Sequence, residues 1–382
     1  MTDAVEPFHI HVDDAVLVDL QDRLARTRLP APIEGTGWER GTPIDDIAAL
    51  VAYWRRDYDW RAEEARLNEL PQFTTRIDDQ SIHFVHARSP HEHAMPLLIM
   101  HGWPGSIVEF LDVIPRLTTP ERFGGDPADA FHVVAPSLPG YGFSEPPRTP
   151  GWDVARIAGA FVELMARLGY VRYVAQGGDW GAQLATRIGA LDPEHCAAIH
   201  LNMPIGSKPE NAVELTEDDQ ADLAVLASFL RDEAAYALEQ GTKPQTLGIA
   251  LNDSPAGLLA WIVEKFHGWS DTDGPLEDTF PPDRLLTNVM LYWVTGTITS
   301  SMQLYWEARA SAMRGDKPAN VSVPTGVARY PREVLPAPRS WVATHYDLRH
   351  WAVMPRGGHF AAMEQPELFT DDLRAFFRTV RG

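Results

Sequence analysis

Three side chains in this sequence have the types and spacing to do covalent chemistry on carbon. Asp179 stands in QGGDWGAQ, with Gly177 two residues before it and Gly181 two after. That is the spacing of a strand-to-helix turn that presents a nucleophile. The centre of the turn holds neither serine nor cysteine. An aspartate there, near a helix N-terminus that favours negative charge, is either a capping residue in a glycine turn or a nucleophile of a particular kind. A serine attacking an sp³ carbon would leave an ether. A carboxylate leaves an ester, whose carbonyl a water can attack beside an oxyanion hole. The neighbouring motifs favour the nucleophile.

HGWPGS at 101–106 follows the apolar run PLLIM, so its backbone amides fall at the carboxyl end of a strand. The N–H groups of Trp103 and Trp180 are the expected donors to a developing oxyanion, and His101 reads as a scaffold residue. His359, in PRGGHFAAMEQPE, lies between a short strand and the last helix. That is the chain position of the base in nucleophile–acid–histidine order. Glu333, in ARYPREVLP, follows the penultimate strand and is expected to fix the imidazole tautomer. Asp347, in HYDLRHW, is the competing carboxylate, but it precedes the last strand and belongs at the opposite end of the sheet. Since a carboxylate needs no base in order to attack, His359 is assigned to activating the water of a second step.

These residues need a scaffold, and the periodicity supplies one. Residues 1–72 read as helical, with an acidic start at Asp13–Asp14 and a stop at Pro30. FTTRIDDQSIHFVHARS alternates around an Asp-Asp turn, a hairpin signal. Strand and helix patterns then alternate up to about 205, which means a largely parallel α/β sheet with its ligand site at the strands' carboxyl ends. From 206 to 320 the strand signal vanishes and three long helical stretches replace it. The β/α pattern resumes over 321–382. The expected division is an N-terminal meander over 1–72, a core over 73–205 and 321–382, and a helical lid over 206–320.

Composition narrows the function classes. The chain has 382 residues, 45% hydrophobic, with a net charge of −20. That charge opposes nucleic acid or an anionic membrane as partner. No apolar run is long enough to span a bilayer, and the N-terminus lacks the pattern of a secretory signal. A single cysteine, Cys196, leaves no internal disulfide and fits a cytoplasmic protein. His91 and His93 lack companion ligands, so no metal is expected, and no cofactor motif is found.

These residues, in order, resemble the microsomal-type epoxide hydrolases of the α/β-hydrolase superfamily over essentially the whole chain. The likeness is most specific in PFHIHVDDAVLVDLQDRLARTRLP, in TKPQTLGIALNDSPAGLLAWIVEKFHGWSD and in YWVTGTITSSMQLYWE. It implies an α/β-hydrolase fold with a helical lid and an N-terminal meander. It implies Asp179 as nucleophile, His359 as base and Glu333 as its acid partner, where many relatives use aspartate. It also implies two lid tyrosines, Tyr236 in YALEQGTKP and Tyr305 in QLYWE, that hydrogen-bond the epoxide oxygen and protonate it; Tyr292 is the nearby decoy. An alkoxide leaves poorly unless a donor meets its charge, so the requirement has a physical basis. Membrane-bound members carry an anchor helix ahead of the meander, and this sequence starts at the meander, which leads to the expectation of an unanchored enzyme. The expected partners are a small hydrophobic epoxide and water, and a homodimer stays open. Two rivals remain. One is a haloalkane dehalogenase, in which Trp103 and Trp180 would hold the halide. The other is a non-catalytic binding protein of the same fold. A serine esterase lacks its G-x-S-x-G motif.

Overall fold

The computed structural model describes residues 4–208, 214–316 and 320–381. Nine strands build one sheet: β1 (Glu6–Phe8), β2 (Gln72–Ile77), β3 (Gln80–Ala87), β4 (Met95–Met100), β5 (Phe131–Pro136), β6 (Tyr173–Gly177), β7 (Cys196–Leu201), β8 (Val321–Arg329) and β9 (Tyr346–Val353). Their spatial order is β1-β2-β3-β5-β4-β6-β7-β8-β9. The first three pair antiparallel, β3 pairs antiparallel with β5, and every later neighbour is parallel. The parallel strands are covered on both faces, which is why β4 (MPLLIM) and β5 (FHVVAP) read as continuous apolar runs rather than alternating ones. The β2–β3 turn is made by Asp78 and Asp79, both at positive φ (51° and 61°). Tight two-residue hairpins require that backbone, and aspartate tolerates it.

The N-terminal segment contains α1 (Asp14–Ala25), α2 (Ile44–Arg56) and α3 (Trp60–Leu67). Asp13 and Asp59 cap α1 and α3 by accepting from backbone N–H groups. Leu20, Leu24, Val51, Trp54 and Leu67 are buried, and Asn68 grips the Ile10 backbone with a donor and an acceptor. The segment is not helical throughout, as its sequence suggested. Glu6–Phe8 adds an edge strand, pairing Pro7 with Phe73. Three residues are too few to show a strand period, and the pairing partner lies more than sixty positions away.

Along the core, α4 (Val113–Thr118), α5 (Val154–Arg167) and α6 (Asp179–Leu191) pack on the sheet. Between β7 and β8 the described residues form seven helices: α7 (Glu217–Asp232), α8 (Ala235–Thr242), α9 (Pro244–Asp253), α10 (Pro255–Trp269), α11 (Leu276–Thr279), α12 (Pro282–Thr295) and α13 (Ile298–Met313). The chain closes with α14 (Arg339–Val342), α15 (Ala361–Glu364) and α16 (Pro366–Arg378). The N-terminal segment is tied to the inserted helices. Tyr53 donates to Asp283 at 2.8 Å, Thr42 to the Ala260 carbonyl at 3.0 Å, and Arg23 to Asp253 at 2.7 Å. Among the described residues no single helix is long and apolar enough to cross a membrane. Only α9 and α10 taken together reach that length and apolarity, and they are bent by 117°. The sheet order reverses direction at β4, between β5 and β6. The crevice beyond the carboxyl ends of β4 and β6 is therefore where a ligand belongs.

Candidate active site

The turn after β6 delivers Asp179. Its φ of 49° lies in the left-handed region, a strained conformation for a residue with a side chain. The glycines make the turn possible. A Cβ on Gly177 would overlap the Gly181 carbonyl, and one on Gly181 would overlap the Met100 carbonyl of β4. The small residues let α6 start almost in contact with two strands, so the carboxylate stands at the helix N-terminus.

The loop after β4 meets it. Trp103 N–H donates to Asp179 Oδ1 at 2.8 Å. His101 is buried and braces the loop, its Nε2 accepting from Leu138 N–H at 3.3 Å. Trp180 is the residue after Asp179 in the first turn of α6. The other carboxylate oxygen, Oδ2, lies 3.5 Å from His359 Nε2. On the far side of the imidazole, Nδ1 is 3.0 and 3.2 Å from the two Glu333 oxygens. Glu333 also accepts from the Val334 and Leu335 N–H groups, at 2.9 and 3.1 Å. Burial opposes the charged imidazole, but the carboxylates of Glu333 and Asp179 outweigh it and raise His359 well above its ordinary value. Asp347 lies elsewhere, at the start of β9, paired with Arg349 at 2.6 Å.

Tyr236 on α8 and Tyr305 on α13 face the same point. Tyr236 stacks on Trp103 at 5.3 Å and 11°. Tyr305 meets Trp180 edge-on at 4.8 Å, and the two phenol rings are 5.9 Å apart. Burial and then the Asp179 charge push the Tyr236 hydroxyl up, while its hydrogen bond with Tyr305 pulls it down. Tyr305 is raised by the same burial and by its neighbours Tyr236 and Asp179. Both phenols therefore keep their protons at neutral pH. Tyr292 is used structurally, donating to the Gly105 carbonyl at 2.6 Å.

The structure thus brings Asp179, His359, Glu333, Trp103, Trp180, Tyr236 and Tyr305 into one cluster. It also adds residues that sequence reasoning missed. Buried Lys265 on α10, paired with Glu264, sets its ammonium 4.7 Å from the Tyr236 ring centre. Glu364 accepts from Gly358 and Phe360, on either side of His359, and from Asp271, and so orders the histidine loop. Glu109 lies beside Asp179 and His359. Glu364, five residues beyond His359 in GGHFAAMEQ, offered a signal as an acid near the base. The other two depend on packing between distant segments.

Two family models match the chain: "Epoxide hydrolase N terminus" over residues 5–110 and "alpha/beta hydrolase fold" over 95–246. A protein of Stigmatella aurantiaca is 48% identical over 99% of this chain and 86% of its own length. Epoxide hydrolase 1 of Sus scrofa is 40% identical over 98% of this chain and 88% of its own. Among solved structures, juvenile hormone epoxide hydrolase from the silkworm Bombyx mori superposes with a TM-score of 0.91 at 34% identity. That match covers 100% of this chain and 95% of the silkworm one.

Proposed function

The chain belongs to the microsomal-type epoxide hydrolases of the α/β-hydrolase superfamily, and from that premise we propose that it opens its epoxide through a covalent ester on Asp179. One observation carries the reading: the two oxygens of the Asp179 carboxylate have different neighbours. Oδ1 accepts from Trp103 N–H, and Oδ2 faces His359 Nε2 without that backbone donor. In the first step Oδ2 bonds to an epoxide carbon as the carbon–oxygen ring bond breaks. The released electron pair takes a proton from Tyr236 or Tyr305. The ester carbonyl, Oδ1, then already lies on the Trp103 amide. In the second step a water gives a proton to His359 Nε2 and attacks Cγ, and the charge gathering on Oδ1 is met by Trp103 N–H and the Trp180 amide. Collapse expels the diol oxygen, which takes the proton from His359, and the new Asp179 carboxyl gives its proton up to restore the tyrosinate, so that both side chains regain their starting forms.

The substrate is proposed to be hydrophobic, since Trp103, Trp180, Trp269 and Phe229 surround the phenols. The dehalogenase reading has one observation in its favour: the indole N–H groups of Trp103 and Trp180 are buried without a hydrogen-bond partner. The paired phenols have no task in that chemistry. The discriminating test is a single turnover in heavy-oxygen water. The ester route puts the label into Asp179 and leaves the first diol unlabelled. Label in the first diol would mean direct attack by water. Halide release from a haloalkane, with no diol from an epoxide, would mean dehalogenation.

A further inference from the structure

Behind the nucleophile lies a small cavity of about 10 Å³, room for about one water. Asp179 and His359 line it together with Glu109, Gln176 and Asn202. Neither lid phenol reaches it. Its polar wall is only partly used. Gln176 donates to Asn202 at 3.0 Å, yet Gln176 Oε1 is buried with no hydrogen-bond partner. An orphaned acceptor beside a polar, water-sized space is the signature of a site for buried water.

Glu109 reaches this space through a local device. It stands in a short 3₁₀ turn, Ile107–Phe110, capped by Ser106, whose Oγ accepts from Val108 N–H at 3.2 Å. The tight turn folds the side chain back under the HGWPGS loop. There its Oε1 occupies the volume that a Cβ on Gly105 would fill. The glycine in that motif is thus matched to a carboxyl four residues later. Burial, with a smaller contribution from the Asp179 charge, pushes Glu109 up to about 8, against the opposing pull of His359 and the Gly102 N–H. The acid is therefore neutral at pH 7, which avoids a third negative charge around the imidazole.

We infer that this cavity holds the water that cleaves the ester, and that Glu109 is a positioning residue for it. The neutral Glu109 carboxyl donates to one lone pair of the water and Gln176 Oε1 accepts one of its hydrogens, which turns the other lone pair toward Asp179 Cγ while His359 takes the second proton. A base alone gives the water one partner, whereas a nucleophile held in line needs at least two. The proposal rests on the ester route above and adds nothing to the alkylation step, because the epoxide and phenols lie outside the cavity. The test separates the two half-reactions in wild type, Glu109→Ala and Glu109→Gln, with styrene oxide as probe. Alkylation is followed by tryptophan fluorescence after rapid mixing, and ester decay by quenching and intact mass. Alkylation is expected within about twofold of wild type in both variants. Ester decay should slow on the order of 10- to 100-fold in Glu109→Ala, the cost of a misplaced nucleophile. Glu109→Gln, which keeps a hydrogen-bond donor in a side chain of the same shape, should recover most of that loss. Equal slowing of both steps, or ester decay at the wild-type rate in Glu109→Ala, overturns the role of Glu109 while leaving the ester route intact. Absence of any ester mass in all three proteins overturns the route itself.

Discussion

His359 meets two carboxylates, and the consequence is a base that becomes available in sequence. Glu333 and Asp179 together raise the imidazole well above its ordinary value and favour its charged form in the free enzyme. Esterification removes the Asp179 charge and with it one of the two supports. In the proposed route the imidazole pKa then falls, the ring releases its proton to solvent, and the neutral ring can take one from water. The sign follows directly: ester decay should rise with pH through the lowered His359 pKa and then level off. A decay rate flat from pH 5 to 9 would contradict this. Replacing His359 by glutamine keeps the nucleophile and phenols but removes the base. The alkyl-enzyme should then accumulate, seen as a mass increase equal to that of the epoxide; unmodified protein after exposure to substrate would count against the two-step scheme. In the proposed route the phenols act earlier. Tyr236→Phe combined with Tyr305→Phe should slow alkylation on the order of 100-fold, the scale of lost general-acid assistance. An unchanged burst rate would remove both from the mechanism.

At the scale of elements, the inserted helices do more than carry phenols, because α12 grips the loop that carries the Trp103 amide. Asn288 donates to the Pro104 carbonyl at 2.8 Å and accepts from Ser106 at 2.7 Å, and Tyr292 reaches the Gly105 carbonyl. On the other side of the site, the end of α10 holds the histidine loop: His359 N–H donates to the Trp269 carbonyl at 2.8 Å, and Asp271 accepts from Gly357 N–H at 2.7 Å. Asn288→Ala should therefore cost about 1–3 kcal/mol by leaving buried loop groups unpaired. It should also lower kcat more than it changes KM, since the Trp103 amide loses its bracing. Denaturant unfolding and steady-state kinetics measure the two effects, and a stability loss with unchanged kcat would reduce α12 to packing. These clamps also mark what the sequence could and could not show. HGWPGS, GGDWG and GGHF were legible because strand periods and glycine spacing are local, and each places its residue at a strand's carboxyl end. Glu333 was legible by its place after β8. Asn288, Lys265 and Glu109 were not, because each acts across a gap set by tertiary packing or by a backbone turn. β1 was missed for the same reason, its pairing being with a strand far along the chain.

For the whole molecule, buried titratable groups pull stability in opposite directions with pH. Burial lowers His83 to about 3 and His86 and His101 to about 4. It raises Glu364 to about 7 and Glu109 to about 8. Between about pH 4 and the ordinary histidine value of 6.5, the unfolded chain binds protons that the folded histidines refuse, so these three make stability rise with pH. The two carboxyls act inversely. Unfolded, they lose their protons near 4.5, whereas folded they keep them to 7 or 8, so they make stability fall as pH rises across that interval. From 4.5 to 6.5 three histidines oppose two acids, and the histidines prevail. Above 6.5 the histidine contribution is complete, and the acids act alone, joined by His359, whose raised pKa has the same sign. The net charge of −20 adds self-repulsion on the alkaline side. Stability should therefore peak near pH 6.5 and decline in both directions, measured as urea midpoints between pH 4 and 9 at constant ionic strength. Glu109→Gln removes one of the two acids and should flatten the alkaline limb while leaving the acid limb in place. A midpoint that climbs steadily from pH 4.5 to 8 in wild type would mean that the carboxyls beside the nucleophile and the histidine loop are ionised in the folded protein.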